Sequence, residues 1–140
     1  MFVFPSQEWC EEAVRLVNQD PEAALAADGW AGDFGIVIEA EPGRLDQPFV
    51  VHLVPEGARI GSVEYLEDAD ELEDLEPAYR LRAPYGTWKG LMLGQLDPVE
   101  AILKRKIQVE GNLQPLIERM RYKNIAERIF SQLQTRFIDE

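Results

Sequence analysis

Few residues in this chain can do covalent chemistry. It has one histidine, His52, and one cysteine, Cys10. A working nucleophile needs a base within reach and a third group that orients the base. Ser6, Ser62 and Ser131 lie in no Gly-x-Ser-x-Gly turn. His52 falls mid-way along an alternating stretch and reads as a half-exposed strand residue rather than a base. Cys10 reads as a small hydrophobe in a helix. One His and one Cys cannot build a His/Cys metal site, and no loop has the spacing of an EF-hand. Gly29-Trp30-Ala31-Gly32 lacks the length and the lysine of a phosphate-binding loop. The expectation is a protein that is not an enzyme, with no catalytic set, no metal and no cofactor.

Charge narrows the partners. The net charge is −12, and nucleic acid phosphates would be repelled by it. Residues 1–76 hold 19 acids and 3 bases, while residues 77–140 hold 7 acids and 11 bases, so the chain can orient at a charged surface. Residues 67–76 have seven acids in ten positions. Like charges at that density repel, so a packed strand is not expected; Leu72 and Leu75 are candidate anchors for a short helix or loop, and the run is expected to be exposed and mobile.

The elements that must position any site follow from the pattern. At 140 residues the chain is expected to be one domain, 1–140, with one core. No stretch of eighteen apolar residues suggests a membrane span. Met1 to Pro5 is apolar but lacks the basic flank and cleavage site of a signal peptide. A single cysteine fits a reducing, cytoplasmic setting. Ser6 caps a first helix with Trp9, Ala13, Leu16 and Val17 on one face. Asp20-Pro21 starts a second. Three strands alternate through Phe34–Ile38, Phe49–Val54 and Ile60–Tyr65, joined by turn residues, which implies an antiparallel meander. A fourth strand spans Ala78–Ala83, and Thr87 is a candidate cap for the helix at Trp88.

The central stretch, Trp88 to Gly111, has a local cause at each boundary. Gly94 can close a helix at positive φ. Asp97 is an N-cap with Pro98 at the first helical position, and Glu100 stands where a capping box would place it. Val99, Ile102 and Leu103 form one apolar face. Ile107 and Val109 then alternate with polar neighbours as a strand. Asn112 caps a C-terminal helical region with two apolar stripes. Leu113, Leu116, Ile117 and Met120 form the first; Ile125, Ile129, Phe130, Leu133 and Phe137 form the second. The stripes are out of phase, so a break is expected at residues 121–124.

A run of these residues resembles a known family. Trp88, Leu91, Gly94, Leu96, Asp97, Pro98, Ala101, Lys106, Ile107, Val109 and Gly111 together look like the sterol carrier protein domain, a small lipid carrier. Two positions depart from the family habit: Arg105-Lys106 stands where Gly-Lys is common, and Gly111-Asn112 where Gly-Asp is common. The resemblance implies an α/β (α+β) fold, a mostly antiparallel sheet of about five strands covered on one face by helices, with an apolar tunnel between them. It implies non-enzymatic binding or transfer of a lipid such as a fatty acyl chain, an acyl-CoA or a sterol. The implied lining is Trp88, Leu91, Met92 and Leu96, with Val99, Ile102 and Leu103, and then Leu116, Ile117 and Met120. The implied partner is a hydrophobic lipid, with at most peripheral membrane contact. From spacing alone the same residues read as an ordinary core, and it is the resemblance that points to a tunnel. The alternative function is an interaction module with a filled core, docking a basic partner through residues 67–76.

Overall fold

A computed structural model describes residues 1–27, 29–119 and 124–140. Seven strands and seven helices occur among them: β1 (Phe2–Phe4), α1 (Gln7–Gln19), α2 (Pro21–Ala27), β2 (Phe34–Glu39), β3 (Phe49–Glu56), β4 (Arg59–Leu66), α3 (Ala69–Leu75), β5 (Tyr79–Pro84), α4 (Tyr85–Met92), α5 (Pro98–Leu103), β6 (Gln108–Glu110), α6 (Leu113–Glu118), α7 (Asn124–Gln132) and β7 (Thr135–Phe137).

The main sheet has the order β4-β3-β2-β5-β6. The expected meander is present: β2, β3 and β4 pair antiparallel. β5 lies parallel to β2 rather than continuing the meander. The reason is the crossover between them, since α3 carries the chain back before β5 begins. β6 pairs antiparallel with β5, placing Val109 opposite Leu81. Ile107 is buried with Ala83, Ala101 and Ile102 on the helix side of the sheet, as its alternation requires.

Period-two alternation sends the strand residues to two different cores. Ile36, Ile38, Phe49 and Val51 face the larger one, with Phe4, Trp9, Tyr85, Ile129 and Phe137. Val37, Val50, Leu66 and Leu72 make a small cluster on the opposite face. Most of the acidic run is therefore a helix, α3, rather than a loop. Asp68 caps α3 by accepting from the Glu71 N–H at 3.0 Å, and Leu72 is 1% exposed. A helix resolves the repulsion by turning one residue inward and the acids outward, where Arg80 pairs with Glu73 at 3.2 Å. α3 is also the exception to the one-sided helical cover expected from the family. Gly35 makes room for it, because a Cβ there would sit 2.5 Å from Leu72 Cδ1.

The local stop and start signals mostly act as read. Ser6 Oγ accepts from Trp9 N–H, and Asp97 accepts from Glu100 N–H at 3.1 Å. The Glu100 carboxylate turns to Lys104 instead of completing a capping box. α4 begins at Tyr85, so Pro84 rather than Thr87 takes the cap position, and no side chain caps it. Asp20 does double duty: it accepts from the Glu22 and Ala23 N–H groups at the start of α2 and from Arg128 of α7. Its carboxyl is held below the usual range chiefly by Arg128.

The two ends of the sequence meet. β1 and β7 form a separate parallel pair, with Phe2 opposite Thr135 and Phe4 opposite Phe137. Phe137 thus belongs to a strand, not to the helical stripe assigned to it, and Phe2–Phe4 is a strand that the apolar count alone did not identify. α6 and α7 are separate helices, and the break expected at residues 121–124 falls largely outside the described residues. The outer edge of β4 is capped at one point, where the Asn18 amide donates to Ile60 O at 3.0 Å and accepts from Ile60 N at 2.8 Å.

Candidate functional site

Between the helix-facing side of the sheet and α1, α4 and α7 lies a cavity of about 900 Å³. Its floor is Ile36 and Ile38 of β2, Phe49, Val51 and Leu53 of β3, and Ile60 of β4. Strand alternation puts these residues on one surface. α1 contributes Cys10, Ala13, Val14 and Val17, spaced at i, i+3, i+4 and i+7, so one stripe of the helix faces the space. Several of the wall residues are small, namely Cys10, Ala13, Gly94, Ala126 and Ser131. Where a packed core would place large side chains, these leave volume.

The α4 wall is fixed by hydrogen bonds at its base. The Trp88 indole N–H donates to Ala83 O at 3.0 Å and to Val37 O at 3.3 Å, which orients the ring across the β2–β5 pair. Trp88, Leu91, Met92 and Leu96 all line the cavity. α4 then ends in a tight hydrogen-bonded turn. Gly94 N–H donates to Leu91 O and Gln95 N–H to Gly90 O, with Gly94 at φ +74°. This turn brings Leu93, Leu96, Asp97 and Pro98 to the rim.

The remaining residues implied by the resemblance lie elsewhere. Ile102 is buried with Ala83 and Ala101, and Leu116 packs against that second cluster. Leu103 is 66% exposed. Val99 and Ile117 are half-buried and outside the cavity lining. Met120 lies outside the described residues. The wall that sequence reasoning missed is α1, together with Phe130 of α7. Its signal was present as a stripe with small residues at positions 10 and 13, but an apolar stripe reads the same whether it meets a core or a void.

Polar groups are sparse and sit at the rim: Asp97, Glu127 and Ser131. Cys10 is the one thiol, and burial, then the Glu11 charge, push it up to about 12, so it stays protonated and unreactive. His52 is buried, not half-exposed, and lies on the opposite face of the sheet. Its Nε2 meets Asp33 Oδ2 at 2.6 Å, while Asp33 Oδ1 accepts from Ala78 N–H at 2.8 Å. Burial raises the Asp33 carboxyl, but the bonds from His52 and Ala78 outweigh it and hold it below the usual range. This pair anchors the start of β5. Among the described residues no cluster of His, Cys, Asp and Glu is arranged to hold a metal, and no helix is long and apolar enough to cross a membrane.

A carboxylate outside the cavity braces the α4 wall. Asp139 accepts from Tyr85 Oη at 2.8 Å, Lys89 Nζ at 3.0 Å and Arg44 Nε at 2.9 Å. Tyr85 is fully buried, so its hydroxyl depends on this partner. Burial raises the Asp139 carboxyl, but Tyr85, Lys89 and Arg44 more than offset that and hold it far below the usual carboxylate range. A carboxyl depressed on folding stabilises the native state above its unfolded pKa, about 4, and that contribution is lost as the pH falls below it. Asp139→Asn is expected to lower Tm at neutral pH and to flatten the loss of Tm between about pH 4 and pH 2. Thermal melts across that range check it; an unchanged acid slope would show that other carboxylates carry it.

The comparisons with known proteins agree with the fold. The sequence matches the SCP-2 sterol transfer family over residues 11–122. Similar solved structures include a crystal structure of sterol carrier protein 2, at 18% identity and TM-score 0.69, covering 90% of this chain and 93% of that one. A conserved hypothetical protein from Thermus thermophilus aligns at 18% identity and TM-score 0.70, covering 89% and 87%. The sterol carrier protein domain 2 of Helicoverpa armigera aligns at 15% identity and TM-score 0.56, covering 87% of each. At these identities the likeness is one of fold. No curated protein matches the sequence.

Proposed function

The chain belongs to the SCP-2 sterol transfer family, and on that premise we propose that it binds and transfers a lipid, without covalent chemistry, in the cavity between the sheet and helices α1, α4 and α7. The observation that carries this reading is the cavity of about 900 Å³ with a mostly apolar wall. Its size lies within the range of about 300–1,000 Å³ of small-molecule pockets. Each methylene buried there is worth about 0.8 kcal/mol, so a chain of about 12 to 16 carbons gains roughly 10–13 kcal/mol. Association and ordering cost about 4–15 kcal/mol, which leaves room for micromolar or tighter binding. Trp88, Leu91, Met92 and Leu96, with Phe130 and the α1 stripe, are the proposed contacts. A fatty acyl chain, an acyl-CoA or a sterol-like body supplies the apolar part, and the rim groups orient the head.

The direct test is native mass spectrometry of the protein isolated gently from its own host. The expected spectrum holds a second species heavier by the mass of one lipid, released as that lipid on activation. Protein that stays at its bare mass, and takes up no fluorescent fatty acid or sterol, would overturn the reading.

A further inference from the structure

The cavity wall is short of hydrogen-bond donors. Among the described residues that line it there is no lysine, arginine or histidine. Its two indole N–H groups are already committed, Trp9 to Thr135 Oγ1 at 3.0 Å and Trp88 to Ala83 O at 3.0 Å. The Ser131 hydroxyl gives its proton to Arg128 O at 2.8 Å, which leaves its oxygen to accept. Asp97 and Glu127 are carboxylates, and an ionised carboxylate only accepts. The rim turn adds to this, because α4 ends there with the negative end of its dipole. The start of α5 carries about half a positive charge at the same turn, which Asp97 as its cap more than offsets.

Cations on the same helices are turned elsewhere. Arg128 adjoins Glu127 on α7, but its guanidinium binds Asp20 at 3.0 Å and stands 3.7 Å from Glu22. Lys89 of α4 is held by Asp139 and Glu140. Glu127 is exposed and has no ion pair among the described residues. Asp97 accepts from Glu100 N–H through Oδ2, which fixes its carboxylate at the rim. The mouth therefore draws carboxylates from two separate elements, the α4–α5 turn and α7. The net charge of −12 adds a field that gathers cations and repels anions.

On the reading that the cavity holds a lipid, we propose that its preferred ligand is a long-chain amine, an alkyl chain whose head is an ammonium group. An ammonium has three donors and no acceptor, and the side-chain acceptors at the mouth are Asp97, Glu127 and Ser131 Oγ. Bonds from a charged donor to a carboxylate are stronger than those from a neutral hydroxyl, which ranks the amine above an alcohol of the same chain. A carboxylate or phosphate head only accepts. It finds no free indole, lysine or arginine on the described wall, and both acids repel it. The ammonium stays at the rim in contact with water, so the chain alone enters the apolar space and no charge is buried. The methylenes supply the affinity, and the head decides among lipids that share a chain.

The test uses one dodecyl chain, with the same fluorophore at its far end and three heads: an amine, an alcohol and a carboxylate. At neutral pH and low salt the amine is expected to bind about tenfold more tightly than the carboxylate, with the alcohol between them and the spread narrowing as salt rises. Glu127→Gln is expected to lower the amine-to-carboxylate ratio about threefold and Glu127→Lys about tenfold, as one and then two units of charge change at an exposed site. Alcohol uptake is expected to be unchanged in both, which shows that the variants are folded. Glu64 stands opposite His52 in the β3–β4 register, on the face of the sheet away from the cavity. Glu64→Gln is expected to change the ratio less than about 1.5-fold, since the charge it removes is remote and screened. A carboxylate probe that binds as tightly as the amine would overturn the proposal. Equal falls in the ratio at Glu127 and Glu64 would reduce the effect to net charge and overturn it too. So would amine binding that persists in Met92→Trp when alcohol uptake is lost, which would place the amine on the acidic surface. Uptake of none of the three probes would instead overturn the lipid cavity itself, and this inference with it.

Discussion

Met92→Trp should block lipid uptake and leave the fold intact. Met92 lines the cavity and packs half-buried against the main core, one turn after Trp88, whose ring is pinned by its two hydrogen bonds. In a filled core an added ring system forces neighbours off their rotamers, at about 1–3 kcal/mol. Here the new side chain has about 900 Å³ to enter. The ligand-free protein is therefore expected to melt close to the parent, while uptake of a fluorescent fatty acid falls at least tenfold, about 1.4 kcal/mol. A clear fall in Tm, with no lipid uptake even by the parent, would make Met92 ordinary core and bring back the interaction module.

Leu72→Ala should have the largest effect on stability and the least on binding. Leu72 is the one buried residue of α3, 1% exposed, and it fills the space above Gly35 that no Cβ could share. Truncating it removes three carbons and leaves a cavity among Val37, Val50 and Leu66, at about 2–5 kcal/mol. For a chain of this length that is a fall of about 6 to 15 °C in Tm. Without its anchor, the seven acids of the run lose the geometry that keeps them apart, so α3 amides should exchange early. The cavity lies on the other face of the sheet, and lipid uptake by the folded variant should stay within a few fold. Protected α3 amides in the variant would show that Asp68 and the Arg80 pair hold the helix without Leu72.

These two residues also mark what the sequence makes legible. Met92 sits in a stretch where local rules and family resemblance coincide: a left-handed glycine and an Asp-Pro helix start. Both are short-range features and both are found as read, although Thr87 does not cap α4. Leu72 lay in a run dominated by charge, where local repulsion argued for a loop. The deciding contact comes from Gly35, on a strand far off in sequence, and no local pattern carries it. The parallel seating of β5 beside β2 and the β1–β7 pair were hidden for the same reason. Strand alternation gives the face a residue takes but not the neighbour it meets. The cavity was the least legible feature, because a void is defined by what several elements leave out. Cys10 and Ala13 show this: small residues on an apolar stripe fit close packing as well as they fit a hole.

The β1–β7 pair has a consequence for the order of folding. Joining Phe2 to Thr135 closes a loop of about 130 residues, which costs about 4 kcal/mol of chain entropy when the intervening chain is still loose. Three residue pairs do not offset that. The closure becomes affordable only after the main sheet and its helices have drawn the two segments together. β1 and β7 therefore seal the molecule and do not seed it. The seal carries Phe4 into the cavity wall and fixes the Trp9 indole to Thr135 Oγ1 at 3.0 Å. The apolar cavity is thus among the last parts of the chain to take shape, and until then the face of the sheet that lines it stands open to water.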